Sequence, residues 1–170
     1  GHTPGRRVIP IEDMVKKIEV AVATRSDPNF KIIARTDART TLGLDEALRR
    51  GEAYARAGAD ILFIESPESQ EEMSRIGKTF PNHPLIANMV EKGRTPVLSR
   101  AELEQLGYKI AIFPVTALLA SVQAMTNVYE HFKHTGSSIH NPVDLYDFGE
   151  LSKLMGFEDV WEFEIGRAHV

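Results

Sequence analysis

Ile61-Leu62-Phe63-Ile64-Glu65-Ser66 is a run of four apolar residues that closes on a carboxylate and a hydroxyl. A short continuous apolar run bounded by polar residues is the pattern of a strand buried in a parallel sheet. The same shape recurs on both sides. Lys31 to Asp37 ends in Arg35-Thr36-Asp37, Leu85 to Met89 surrounds Asn88, and Ile110 to Thr116 passes through Pro114. From Arg35 to Glu65, Asn88 and Pro114 the steps are 30, 23 and 26 residues. A strand and its returning helix in a (β/α)8 barrel take roughly 30 residues, so each step fits one βα unit. Active sites of such barrels lie at the carboxyl ends of the strands. Arg35, Glu65 and Asn88, at three successive strand ends, are therefore expected to share one pocket.

The intervening segments read as helices. Ile11, Met14, Val15, Ile18, Ala21 and Val22 recur at helical spacing, with Pro10 at the start and Glu12 and Asp13 in the first turn, where the helix dipole favours acids. After a turn at Ser26-Asp27-Pro28-Asn29, Phe30 to Ala34 reads as a buried strand. Residues 45–57 are helical and stop at Gly58, and residues 70–79 form the next helix. Ser99 and Glu102 stand in capping-box register for a helix over 100–106 that stops at Gly107. A long helix is expected from Thr116 to about His134, and a second helical region over 143–155 with Gly156 as its stop. Regular βα alternation predicts an α/β fold with a parallel sheet.

At 170 residues the chain is too short for eight units. Four units use most of it, so it reads as the C-terminal half of a (β/α)8 TIM barrel over residues 1–135, with a C-terminal helical extension over 136–164. The start, Gly1-His2-Thr3-Pro4-Gly5, looks cut from a longer chain, and residues 165–170 read as a non-native tail resembling a translated sequencing adapter. A net charge of −4, with basic residues interleaved among acids, provides no field for nucleic acid. No stretch reaches the roughly 18 apolar residues of a membrane span, so neither membrane nor nucleic acid is an expected partner and a cytoplasmic location is the expectation. The chain has no cysteine, hence no thiolate metal site of its own.

Each chemical candidate has a plainer alternative. The planar Arg35 guanidinium suits a bidentate carboxylate or phosphate, and the alternative is an ion pair with Asp37 or a neighbouring strand. Glu65, after four apolar residues, must be paired, hydrated or metal-associated. The Asn88 amide can donate to a substrate carboxylate or satisfy loop backbone. His131 and His134 have a spacing compatible with a metal, but no third ligand accompanies them, and a solvated helix end is the simpler reading. The loop Lys92-Gly93-Arg94-Thr95-Pro96 suits an anion, a lid or plain solvation.

Three ordered blocks resemble the isocitrate lyase and phosphoenolpyruvate mutase superfamily: Ile33-Ala34-Arg35-Thr36-Asp37-Ala38, Gly58-Ala59-Asp60-Ile61-Leu62-Phe63-Ile64-Glu65, and Ala87-Asn88-Met89-Val90-Glu91-Lys92-Gly93-Arg94-Thr95-Pro96. Gly1-His2 resembles the end of the family's Lys-Lys/Arg-Cys-Gly-His catalytic loop. The resemblance implies a (β/α)8 barrel whose final helix is exchanged between subunits of a homotetramer, a dimer of dimers. It further implies Mg²⁺-dependent chemistry on a small carboxylate, with the main metal ligands upstream of Gly1. By position, Glu65 and His2 would be catalytic, and Gly1, His2, Arg35, Glu65 and Asn88 would bind substrate, Glu65 reaching the metal through water.

Within the superfamily, methylisocitrate lyases carry a hydroxyl residue around Val90 and an arginine around Leu119, where this chain is apolar. The block around Asn88 is more similar to dimethylmalate lyases, petal-death-type lyases and carboxyvinyl-carboxyphosphonate mutase relatives, which makes a dicarboxylate the first choice; the expected reaction of the parent protein is carbon–carbon cleavage of a 2-hydroxy di- or tricarboxylate of the dimethylmalate or methylisocitrate type, with the fragment alone inactive. The alternatives are a phosphonate-forming mutase, an oxaloacetate hydrolase or decarboxylase, and, from another class, a non-catalytic oligomerisation module.

Overall fold

The computed structural model describes residue 5 and residues 7–167. In chain order the elements are α1 (Ile11–Thr24), β1 (Ile33–Thr36), α2 (Ala38–Leu42), α3 (Leu44–Arg56), β2 (Ile61–Ile64), α4 (Gln70–Thr79), β3 (Ile86–Asn88), α5 (Arg100–Gln105), β4 (Ile110–Ile112), α6 (Thr116–Thr135), α7 (Phe148–Leu154) and α8 (Phe157–Arg167). Local chemistry fixes several boundaries. Ser69 Oγ accepts the Glu72 N–H at 3.2 Å to start α4. At α5 the capping box is complete: Ser99 Oγ accepts the Glu102 N–H at 3.3 Å, and the Glu102 carboxylate accepts the Ser99 N–H at 2.7 Å.

Two compact units divide the chain, residues up to Leu118 and residues from Leu119 on. In the first, β1 pairs with β2 and β3 with β4, all parallel, and a bridge between Leu62 and Leu85 joins the two ladders in the order β1-β2-β3-β4. No closed barrel forms among the described residues. Side chains alternate across a strand, so the register sorts them into two faces. Ala34, Leu62, Ile64, Leu85 and Ala87 meet Ile18, Ala47, Leu48, Met73, Ile76 and Leu103 of the helices in a single core. The opposite face carries Ile33 and Arg35, then Ile61, Phe63 and Glu65, then Ile86 and Asn88, then Ile110 and Ile112. Its outer members are open: Ile33 is 50% and Ile112 is 38% exposed.

α6, which begins in the first unit and runs mostly in the second, and α7 of the second unit bury no residue, and Leu119, Val122, Met125 and Tyr129 of α6 are exposed. Phe157 and Trp161 lie with ring centroids 6.1 Å apart. No helix among the described residues is long and apolar enough to cross a membrane.

Three expectations change. β1 covers 33–36 and not 30–34, because the Phe30 N–H is taken by Asp27 O at 3.0 Å in a turn and the Phe30 ring is exposed. α2 was not foreseen; it is a single short turn ended by Gly43, whose φ of 88° few other residues tolerate. The helical region expected over 143–155 begins only at Phe148, where Asp147 caps it by accepting the Glu150 N–H at 2.9 Å.

Paired carboxylates tie the first unit together. Asp60 Oδ2 accepts the Ile32 N–H at 2.8 Å and Arg25 Nη1 at 2.5 Å, which fastens the entry of β1 to the end of α1. The Ile32 hydrogen bond, then Arg25, holds its pKa below the usual range. Arg49 and then Arg50 do the same for Glu46, and Arg39 for Glu72. A depressed folded pKa gives stability that is present above the unfolded value of about 4 and lost as pH falls through the folded value. Thermal melts are therefore expected to be flat from about pH 7 to about pH 5 and to fall below about pH 4, with Asp60→Asn showing a shallower acid slope.

Candidate active site

Glu65 sits directly after β2 and is 1% exposed. The Leu62–Leu85 bridge sets β2 against β3 so that Asn88 falls beside it. The Asn88 amide nitrogen lies 3.4 Å from both Glu65 oxygens, and Ser66 Oγ donates to Glu65 Oε1 at 3.1 Å. Arg35 reaches in from β1, its Nη2 being 3.5 Å from Glu65 Oε2. Arg35 also forms the ion pair with Asp37 that the sequence offered as its alternative role: Nε donates to Oδ1 at 2.7 Å and Nη2 to Oδ2 at 3.2 Å. Its Cζ stacks 4.9 Å from the centroid of the Phe63 ring, the residue paired with Arg35 in the β1–β2 register. The hydrogen bond to Asp37, then the charges of Glu65 and Asp37, raise the arginine's pKa against the opposing effect of burial, so it is a permanent cation.

Three of the expected site residues thus converge, while Gly1 and His2 lie outside the described residues. Sequence reasoning missed Ser66, whose φ of 59° places a buried non-glycine residue in the left-handed region next to the carboxylate. Of the outer rim it offered only Arg94, in the loop read as an anion site, a lid or plain solvation. Arg39 of α2 donates Nε and Nη2 to Glu72 at 2.9 and 2.6 Å and pairs through Nη1 with Glu68 at 2.5 Å, and Arg94 of the loop after β3 stands 3.6 Å from Glu68. The signal for this network was the run of acids opening α4, legible only once Arg39 is placed on the same side of the sheet. His131 and His134 turn their ring nitrogens to the backbone carbonyls of Ile139 and Glu130.

No group of three His, Cys, Asp or Glu side chains among the described residues could hold a metal ion. The site does offer hard oxygen donors. Asn88 Oδ1 is buried without a hydrogen-bond partner beside the Glu65 carboxylate, an arrangement suited to receiving water bound to a hydrated divalent cation. Among the described residues, Arg35 faces two carboxylates, Asp37 and Glu65.

The family profile described as phosphoenolpyruvate phosphomutase matches residues 1–133. The 2,3-dimethylmalate lyase of Eubacterium barkeri is 51% identical over 164 residues, covering 96% of this chain and 56% of its own. A 2-methylisocitrate lyase of Aeropyrum pernix is 41% identical over 159 residues, covering 94% and 51% respectively. Among solved structures, a phosphonopyruvate hydrolase in complex with oxalate and Mg²⁺ superposes with a TM-score of 0.80 at 31% identity, over 96% of this chain and 59% of that one. The chain spans about half the length of the curated relatives it matches. The parallel strands, the rim of Arg35, Glu65 and Asn88, and these likenesses agree that the chain belongs to the phosphoenolpyruvate phosphomutase family, within the superfamily of PEP mutases and isocitrate lyases.

Proposed function

We propose that these residues form the C-terminal half of a (β/α)8 barrel in an Mg²⁺-dependent lyase that cleaves a carbon–carbon bond of a 2-hydroxy dicarboxylate of the dimethylmalate type. The observation that carries the reading is the convergence of Arg35, Glu65 and Asn88 within 3.5 Å at adjacent strand ends, on a chain 51% identical to a dimethylmalate lyase. The open face bearing Ile33, Ile110 and Ile112 is what the remaining strands of a barrel would cover.

Arg35 holds one substrate carboxylate through charge-assisted hydrogen bonds. Asn88, together with His2, holds the departing half. Glu65 would orient the active-site loop or a water of the metal, while Ser66 and Asn88 keep its carboxylate in place. Mg²⁺, when bound, would supply Lewis-acid polarisation of the hydroxy-carboxylate, with its principal ligands in the part of the parent protein upstream of Gly1. The chain by itself is inactive in this reading. Val90 and Leu119, apolar where a tricarboxylate site needs polar groups, favour a dicarboxylate.

The helices after β4 support assembly of the parent as a homo-oligomer with exchanged helices, a dimer of dimers. α6 leaves its apolar side exposed, and the first unit has a separate groove of about 340 Å³ lined by Leu103, Tyr108, Ile110, Ala111 and Phe113.

Purified gene product containing this chain, assayed with Mg²⁺ against 2,3-dimethylmalate, methylisocitrate, oxaloacetate and phosphonopyruvate, is expected to cleave 2,3-dimethylmalate with the highest kcat/KM. Turnover of phosphonopyruvate with no carbon–carbon cleavage would overturn the assignment, and turnover by residues 1–170 alone would overturn the claim of inactivity.

A further inference from the structure

We propose that Asp37 is a positioning residue that locks the Arg35 guanidinium so that a ligand carboxylate is received at its Nη1–Nη2 end and not along its Nε edge. The inference rests on the reading of Arg35 as a carboxylate anchor, and it concerns how that anchor is held. A guanidinium presents planar donor edges that match a carboxylate bidentately. Here the edge formed by Nε and Nη2 is filled by the two oxygens of Asp37, at 2.7 and 3.2 Å. Nη2 also faces Glu65 Oε2 at 3.5 Å. One flat face of the group is covered by the Phe63 ring, 4.9 Å from Cζ to its centroid. Nη1 makes no hydrogen bond to any described residue, and the side chain is 37% exposed, so the end of the fork is the part left for a ligand.

Three constraints therefore act on one group: a fork to Asp37, a stacking platform at Phe63, and a second carboxylate at Glu65. Asp37 follows Arg35 by two residues and has just left the strand, so the bidentate pair forms within a single loop of chain and needs no distant element to come into place. A long arginine that is already immobilised loses less freedom when it binds. Asp37 also carries a negative charge, which by itself repels an anionic ligand. The two effects have opposite signs. If Asp37 acts only as a nearby charge, neutralising it tightens carboxylate binding; if it positions Arg35, neutralising it weakens binding.

The test uses the gene product containing this chain, with Mg²⁺, as wild type and as Asp37→Asn, which keeps the shape and removes the second acceptor oxygen. Calorimetric titration with oxalate is expected to show about tenfold weaker binding in D37N, and steady-state assay a KM raised by a similar factor with kcat changed less than about threefold. Binding by D37N that is as tight as wild type, or tighter, overturns the proposal. A second measurement needs no ligand: nitrogen-detected NMR of Arg35 is expected to show a protected Nε–H and slow rotation about Cζ–Nε in wild type, both lost in D37N. Wild-type protein that does not bind oxalate refutes the reading of Arg35 as a carboxylate anchor. The Nε–H measurement then decides the role of Asp37 alone, protection lost in D37N supporting it and protection unchanged overturning it. Rescue of protection by Asp37→Glu would show that the second oxygen, and not the side-chain length, is what counts.

Discussion

Gly77→Ala is expected to lower the stability of the first unit by about 3 kcal/mol or more, at the upper end of what overpacking costs. A Cβ at Gly77 would stand 1.8 Å from the carbonyl oxygen of Leu106 and 3.8 Å from Gly107 Cα. Both neighbours are backbone, so no rotamer change relieves the clash, and α4 must move away from the end of α5. Alanine's better helix propensity returns at most about 1 kcal/mol, too little to reverse the sign. Gly51→Ala is the control. Its Cβ would meet Phe80 Cζ at 2.6 Å and Ile64 Cδ1 at 3.1 Å, the far ends of side chains that can shift, and a cost nearer about 1 kcal/mol is expected. Urea unfolding of the two variants should rank them in that order with unchanged m-values. A Gly77→Ala protein within 1 kcal/mol of wild type would mean that the two helix ends do not approach as described. The displacement would also reach the site, because α5 leads through Gly107 into β4, and β4 pairs with the strand that carries Asn88.

How much of this was legible beforehand depends on whether the signal was local. Helix starts at Ser99 and stops at Gly58 and Gly107 could be read directly, since capping chemistry is written in adjacent residues. β2 was placed at its observed bounds because four apolar residues leave little choice. The faces of the strands were not legible. Ile33 and Ala34 are both apolar, yet Ala34 is buried at 1% exposure and Ile33 lies open at 50%, because only the register against β2 decides which one meets the helices. The site divides the same way. That Arg35, Glu65 and Asn88 share a pocket follows from their places at successive strand ends, but the contact of Glu65 with Asn88 depends on the Leu62–Leu85 bridge, and the stacking of Arg35 on Phe63 on the pairing of their strands. No local pattern encodes either. Ser66 gave no warning at all, since a positive φ at a non-glycine residue becomes visible only in the folded backbone.

Glu65→Gln is expected to separate activity from stability in the gene product containing this chain, cutting kcat/KM by about 10²- to 10⁴-fold, the usual contribution of a positioned acid or base, while changing unfolding free energy by less than about 1 kcal/mol. The second half of that expectation follows from the partners. A buried carboxylate is held well only by short hydrogen bonds, and Glu65 has contacts of 3.1 to 3.5 Å with Ser66, Asn88 and Arg35. Removing one partner of a buried ion pair is usually costly because it strands the other charge. Here Arg35 is not stranded, for it keeps the two hydrogen bonds to Asp37 and is partly open to water. Glutamine also keeps one oxygen to accept from the Asn88 amide. Its new NH₂, however, faces donors on Asn88 and Arg35 where an acceptor stood, and the negative charge that orients them is gone. A carboxylate 1% exposed, in long contact with three polar groups, contributes little to holding the fold together, which is what the role proposed for it requires. Steady-state kinetics and urea melts on the same preparation decide the matter. Loss of more than about 2 kcal/mol of stability would identify Glu65 as a structural residue, and kcat/KM within tenfold of wild type would remove it from the reaction.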